Sequence, residues 1–600
     1  MPARTTCGMA GRKVAAINDT VTWQNEPMSE LVARLRRWAT WAPAVVAAMI
    51  AGWIAADTVN NMALDHVSLP FWDHWRMVSE YRDWLAGNYG VDDLFSQHNE
   101  HRIAAGRVLF FTDIFAFGGR GIFLSVCITV ILGALAALLI WVARPRRRSA
   151  WRGYTVVAAA VAGCCLTFTA YENLLWPFQA PFVLLYLASA VGLYATLKAS
   201  EAAKRGGRWS GWAVLAVGAL AVAAYCMANG LAAAGLALAL AAVLRAPPRI
   251  IAVLAITFAV LTFAYFHGYQ STGKSGALAY LVSHPHVLPT YLSMFLGNIL
   301  RDYPARDATT ATLGVLGLLL CLGVAWRILA RRDLDPTRLF LTALLLFVLV
   351  AGLASGVGRV AEFGLSQALS SRYVTPGALF WALQALYWHS VTEESKTWPR
   401  AVAVTGAGLL LVLLIGAQVG ARKDAAGLQA SMSREADALL VGVTDTETQL
   451  ASTPLTLNIA GDTALLRAHD KSIYAEPEAH WMGRRLADLA EPDGACLGAI
   501  DLAARAPDDP RGLRLTGWSW DVGHDRRVER LVVVNSAGRI VGLASGGSYR
   551  PDVTEAVRAV DHVASGWRGF ATGNPGDILS VYGLVGSHRA CTLGTVTATP

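Results

Sequence analysis

Carboxylate and imidazole side chains meet twice in one aromatic-rich stretch, "SLPFWDHWRMVSEYRDWLAGNYGVDDLFSQHNEHR": Asp73 beside His74 and, about 25 residues on, the run His98, Asn99, Glu100, His101, Arg102. A carboxylate next to an imidazole is the usual material of a general base or a divalent-metal site. His98 and His101 would share one helix face, but no further ligand follows at metal spacing, so a zinc site does not follow from the pair. The competing structural reading is that Asp73 and Arg102 cap or salt-bridge short helices.

Cations and amides recur in three other segments: Lys274, His284, His286, Arg301, Asp302 and Arg306 in one, Arg359, Glu362, Arg372 and Tyr373 in "SGVGRVAEFGLSQALSSRYVTPG", and Glu172, Asn173 and Gln179 in "YENLLWPFQAP". Cationic side chains beside aromatics at a membrane boundary suit a lipid phosphate or diphosphate, held by charge-assisted hydrogen bonds. Snorkelling accounts for Arg301, Arg306 and Arg359 taken singly. Arg372 is the stronger candidate, because it opens an apolar run on the face where positive charge is disfavoured.

These segments must be positioned by a membrane domain. The 600 residues are 54% hydrophobic and 16% charged, against about 25% charged in soluble proteins. Apolar runs near the length of about 20 residues that crosses a bilayer occur eleven times, near 39–57, 121–143, 153–171, 178–197, 211–228, 230–245, 249–267, 311–330, 338–355, 372–390 and 399–419. Arg and Lys collect in every second connection, as in Arg144 to Arg152, Lys198 to Arg208, Arg327 to Arg338 and Lys396 to Arg400. The net charge of +8 is therefore an orientation signal and not a nucleic-acid patch. The expected fold is a polytopic α-helical membrane protein of about eleven spans, with the N-terminus inside and a retained first span in place of a cleaved signal.

Residues 1–38 read as a cytoplasmic lead and 39–420 as the membrane domain, with long outer loops at 58–120 and 268–310. The first loop carries aromatics at helical spacing, so amphipathic helices along the membrane surface are expected there. Residues 421–494 read as a helical and mixed juxtamembrane linker. Residues 495–600 switch to short alternating runs such as "GLRLTGWSW" and "VERLVVVNS", separated by Gly, Pro, Asn and Asp turns, the pattern of an exported β-sandwich. Cys496 and Cys591, the two cysteines of this region, are expected to form a disulfide in an oxidising compartment. Trp518, Trp520, Trp567 and Tyr549 are either core residues or a sugar-stacking surface, with core packing favoured for the Trp residues.

Nucleophilic Ser or Cys chemistry has no support. There is no GxSxG elbow, and Cys7, Cys127, Cys164, Cys165, Cys226 and Cys321 lie in the lead or in apolar runs. "GYQSTGKSG" lacks the GxxxxGK[ST] spacing of a phosphate-binding loop. The third to eleventh of these runs have no ionisable residue deep inside, unlike most proton- or ion-coupled transporters.

The odd number of spans, the acidic aromatic-rich first outer loop and the late "RYxxP" element entering a span resemble the glycosyltransferase-C superfamily over about residues 40–420. "PFWDxW", "HNEHR", "ENLLWxFQ" and "SSRYVTP" together also resemble uncharacterised bacterial inner-membrane proteins related to it. The resemblance implies an inverting membrane glycosyltransferase that moves a hexosyl or pentosyl unit from a polyprenyl-phosphate carrier to a cell-surface glycan or lipid. It implies Asp73 as catalytic carboxylate, with Glu100 beside it, and donor-phosphate contact by Arg372 and Tyr373 next to Pro376. His74, His98, His101, Arg102, Glu172, Lys274 and Arg301 complete the expected substrate contacts. His74 stands where many members have a second acid, which weakens a metal assignment and leaves a divalent cation open. The location implied is a bacterial inner membrane with the β-domain in the periplasm. A polysaccharide polymerase, or a non-enzymatic assembly or translocation component whose β-domain binds glycan or protein, remains the alternative; oligomeric state is not readable.

Overall fold

The computed structural model describes residues 40–270, 277–393, 397–450, 459–494, 496–586 and 588–598. Residues 1–38, expected as a cytoplasmic lead, and Lys274 lie outside them. Among the described residues, eight helices are long and apolar enough to cross a membrane, the pattern of a multi-pass membrane protein.

In chain order the helices used below are α1 (Ala42–Leu64), α2 (His74–Leu85), α3 (Ala104–Ala116), α4 (Ile122–Val142), α5 (Trp151–Cys165), α6 (Ala180–Lys204), α7 (Ser210–Ala224), α8 (Gly230–Val243), α9 (Pro248–Phe266), α10 (Val287–Gly297), α11 (Arg306–Leu329), α12 (Pro336–Phe363), α13 (Val374–Thr392), α14 (Thr397–Val441) and α15 (Ile459–Ala468). Of the eleven expected spans, those at α7 and α8 are helices of 15 and 14 residues, short of a full crossing. The one at α13 is a 19-residue helix in which Gln384, Tyr387 and His389 dilute the apolar run, and its length is buried by neighbouring helices.

The region 268–310, expected as loop, contains a buried helix. In α10, Tyr291, Phe295 and Leu296 are fully enclosed. Two glycines allow its close crossing with α11: a Cβ on Gly297 would stand 1.9 Å from the Thr310 carbonyl oxygen, and one on Gly314 would stand 1.8 Å from that of Ser293. Only Gly permits backbones to approach so closely.

The C-terminal region is a sheet domain. Its strands run β3 (Glu491–Gly494), β4 (Cys496–Ala506), β5 (Asp509–Asp521), β6 (Arg526–Arg527), β7 (Arg530–Asn535), β8 (Ile540–Ser548), β9 (Gly566–Thr572), β10 (Ile578–Val585) and β11 (Arg589–Thr597), after a short hairpin β1 (Gln97–His98) and β2 (His101–Arg102) in the first long loop. The expected two-sheet sandwich is instead one hydrogen-bonded path of order β3-β11-β10-β7-β8-β9-β5-β4, with β6 on β5. It curls until β4 meets β11, and the Cys496–Cys591 disulfide joins them at a Cα separation of 5.6 Å. Trp567 and Trp520 are core residues, Trp518 is half-buried, and Tyr549 is 69% exposed.

The linker expected at 421–494 is a structured arm. Helix α14 is 45 residues long and runs on past its apolar part, so that Met432, Ala436 and Leu439 pack with Val532, Val534, Ile540 and Leu543 of the sheet. Beyond it, α15 and residues 472–476 dock on the first long loop. Asp462 accepts from Ser79 Oγ at 2.8 Å and pairs with Arg82, while Ser68 Oγ donates to Glu476 at 2.6 Å.

Candidate functional site

The first long loop is built around a buried ion pair. Arg107, on α3, grips Glu80, on α2, through two parallel bonds of 2.8 and 2.9 Å, and its remaining donors reach the carbonyls of Leu94 and Ser96. This bidentate geometry fixes the approach to the β1–β2 hairpin. The turn residue Asn99 adopts φ +49°, which Asn tolerates better than most residues. Arg102 then ties the hairpin down by donating to the carbonyls of Phe95, Tyr265 and His267 at 2.6–2.7 Å. His98 to His101 are thereby presented on a fixed turn, not on the helix that their spacing permits.

Asp73 sits at the N-cap position of α2 but makes no capping hydrogen bond. The capping explanation therefore fails for it. Trp72, immediately before, is at φ +47°. A bulky residue in the left-handed region costs roughly 1–3 kcal/mol, and such strain concentrates where a neighbouring side chain must be aimed.

The "SSRY" segment is held by "YEN". Glu172 accepts from Ser370 Oγ at 2.7 Å and from the Arg372 backbone N–H at 3.1 Å, and Asn173 donates to the Arg372 carbonyl at 2.8 Å and to Thr375 Oγ1 at 2.7 Å. Both act on the backbone of Arg372, leaving its guanidinium free for other contacts. Arg372 Nε is buried without a hydrogen-bond partner, the guanidinium lies 5.6 Å from the Tyr373 ring, and it forms no salt bridge among the described residues.

These three segments converge on one cavity of about 310 Å³. Asp73, His98, Asn99, Glu100, His101, Arg359, Arg372 and Tyr373 line it together with Trp176, Phe178, Gln179, Phe182, Tyr186 and Phe295. Glu100 faces Arg359 at 3.9 Å. Burial pushes the Asp73 carboxyl above the ordinary carboxylate range; Arg372, Arg359 and the Asn99 side chain oppose that shift, and Glu100 adds to it. Burial also lowers His98 to about 3 and His101 to about 4, so both imidazoles are neutral at ordinary pH. The arrangement offers a desolvated carboxylate, an uncompensated guanidinium and neutral hydrogen-bonding groups on an aromatic wall.

Other expected site residues lie elsewhere. His74 turns away into a separate small pocket, its ring 5.6 Å from Phe110, and burial lowers it to about 4. Arg102 and Glu172 are consumed in the positioning bonds above. Arg301 lies over Tyr171 and against Asp302 and Asp424, with Nη2 3.3 Å from the latter. Arg102, Glu172 and Arg301 are outside the cavity lining because each is already engaged by nearby protein groups, whereas His74 packs against the Phe110 and Phe178 rings with its Nδ1 buried and unpartnered among the described residues. Conversely, Arg359 belongs to the cavity although snorkelling explained it in sequence, and Trp176 was not singled out. The available signal was the shared helical face of Ala351, Ser355, Gly358 and Arg359, and the helix-breaking Trp-Pro step. Among the described residues, no group of three or more His, Cys, Asp and Glu side chains assembles as a metal site.

No protein-family model matches the chain, and no curated protein matches it in sequence.

Proposed function

We propose that the chain is a membrane glycosyltransferase of the glycosyltransferase-C type, working on the outer face of a bacterial inner membrane, the side opposite the Arg- and Lys-rich connections, where its long loops and sheet domain would emerge. The observation that carries this reading is Asp73: a partly buried carboxylate at a helix start that caps nothing and shares a cavity with Arg372, which forms no salt bridge among the described residues.

Asp73 takes the proton of an acceptor hydroxyl as that oxygen forms a bond to the anomeric carbon. The bond from that carbon to the phosphate oxygen breaks, and the polyprenyl phosphate leaves with the electron pair beside Arg372. A carboxylate whose proton affinity is raised by burial is a better base than a solvated one. A guanidinium with no carboxylate partner is already placed for the charge that develops on the leaving phosphate. The acceptor is a cell-surface glycan or lipid, and the isoprenoid tail lies against the bundle.

The test is Asp73→Asn, with Glu100→Gln and Arg372→Ala beside it, each checked for normal membrane levels and then for surface-glycan composition. Loss of one sugar from the glycan in Asp73→Asn and Arg372→Ala is expected. A well-expressed Asp73→Asn with an unaltered glycan overturns the reading.

A further inference from the structure

One wall of the cavity carries polar groups that the transfer step above does not use. His98 is 8% exposed, its ring is 5.4 Å from that of Phe178, and its Nε2 is buried without a hydrogen-bond partner among the described residues. Trp176 is 5% exposed, stacks on Phe178 at 5.8 Å, and its indole N–H is likewise buried without an acceptor. Gln179, 6% exposed, follows on the same short segment and lines the same cavity. A buried donor or acceptor left unmet costs on the order of 1–3 kcal/mol, so two on one wall are a standing cost unless a ligand meets them.

We infer that His98, Trp176 and Gln179 form the subsite for the transferred sugar, and that this sugar is neutral: a hexose or pentose ring, not a uronic acid. The inference rests on the reading of this cavity as the transfer site and specifies its substrate. A neutral imidazole and a carboxamide each offer both a donor and an acceptor, as vicinal hydroxyls require, while the indole adds a donor. The aromatic faces of Trp176 and Phe178 suit the C–H face of a sugar ring. At about 310 Å³ the cavity is at the small end of the ligand-pocket range of about 300–1,000 Å³, which fits one ring and not an oligosaccharide. The charges in the lining exclude a substrate carboxylate. Glu100 answers Arg359, Arg372 serves the carrier phosphate, and among the described lining residues no further cation remains. Asp73 and Glu100 would repel the additional anion.

Saturation-transfer NMR on the full-length, detergent-purified protein, with a polyprenyl phosphate present to occupy Arg372, tests this with no turnover, since methyl glycosides carry no phosphate leaving group. The probes are neutral methyl hexopyranosides, methyl pentofuranosides and a methyl glucuronoside. At least one neutral glycoside is expected to bind and the glucuronoside at least tenfold more weakly, with affinity flat from pH 5 to 8. Adding His98→Ala or Gln179→Ala should weaken binding about tenfold, the loss of one or two hydrogen bonds, without lowering the melting temperature. His98→Gln, which keeps a donor, should stay within about threefold. Glucuronoside binding equal to the neutral probes, no glycoside binding, or binding indifferent to His98→Ala overturns the inference. The glycan profile of Asp73→Asn reports on the transfer reading separately, so the two fail independently.

Discussion

The cavity and the joint between the sheet domain and the rest of the chain use the same residue types to opposite ends. At the joint, buried carboxylates are met: Asp437 takes Arg530 and Ser545 Oγ, and Asp445 takes Arg514. In the cavity, Asp73 caps nothing, and among the described residues Arg372 pairs with no carboxylate and His98 Nε2 and Trp176 Nε1 have no partner. Residue type alone therefore does not separate a strut from a binding group; an unmet group that also borders a cavity does. Unpartnered buried atoms occur elsewhere too, as at Trp567 Nε1 and Arg530 Nε, but those of the cavity lining are the ones a ligand can reach.

Substitutions can break this contrast. The largest effect is expected on activity: Asp73→Asn should lower sugar transfer by about 10²–10⁴-fold, the usual contribution of general-base catalysis, with no loss of thermal stability. Because burial raises the Asp73 pKa, its charged form disfavours the fold, so the neutral amide should leave the melting temperature unchanged or raise it. A parallel fall in stability would place Asp73 among the struts. At the joint the reverse is expected: Asp437→Ala strands Arg530 and should cost about 3 kcal/mol, read as a lower denaturation midpoint, while protein that remains folded keeps its transfer rate.

Replacing Cys496 and Cys591 together by Ser releases a loop of sequence separation 95 and should cost about 2–5 kcal/mol. Limited proteolysis should then cut the sheet domain ahead of the helices; uniform cutting would argue that the joint, not the disulfide, governs the domain. A smaller effect is expected from Glu172→Gln, which weakens the hold on the Arg372 backbone: a severalfold rise in the donor KM with little change in kcat. The smallest is a pH effect. Asp113, raised by burial to about 6, holds its proton more tightly folded than unfolded. Its contribution is full below the ordinary carboxylate value and is lost as pH rises through about 6. Melting temperatures between pH 4 and 7 should fall by a few degrees less in Asp113→Asn.

Much of the architecture was legible because hydropathy and period are local properties. Eight apolar runs are long helices, the strand-like segments after residue 490 are strands, and the two cysteines of the sheet domain are bonded. What escaped was set by distant partners. The buried helix α10 is too short and too broken by Pro289 to read as a span, and it is stabilised by α11 crossing at Gly297 and Gly314. Arg301, Arg359 and Arg372 are alike in sequence, as cations at apolar boundaries. Asp424 engages the first, Glu100 faces the second, and Glu172 and Asn173 secure only the backbone of the third.

Sequence by itself determined that this chain is a multi-pass membrane protein with a disulfide-linked sheet domain, because burying about 20 apolar residues in a bilayer, or alternating ones in a sheet, is written in consecutive residues. The tertiary structure decided which polar residues meet. The carboxylate at 73, the hairpin at 97–102, Trp176 and Arg372 are brought around one cavity by an ion pair, a clamp on backbone carbonyls and a carboxylate holding a backbone N–H. Each of these contacts joins residues remote from one another in the chain, and no local pattern encodes them.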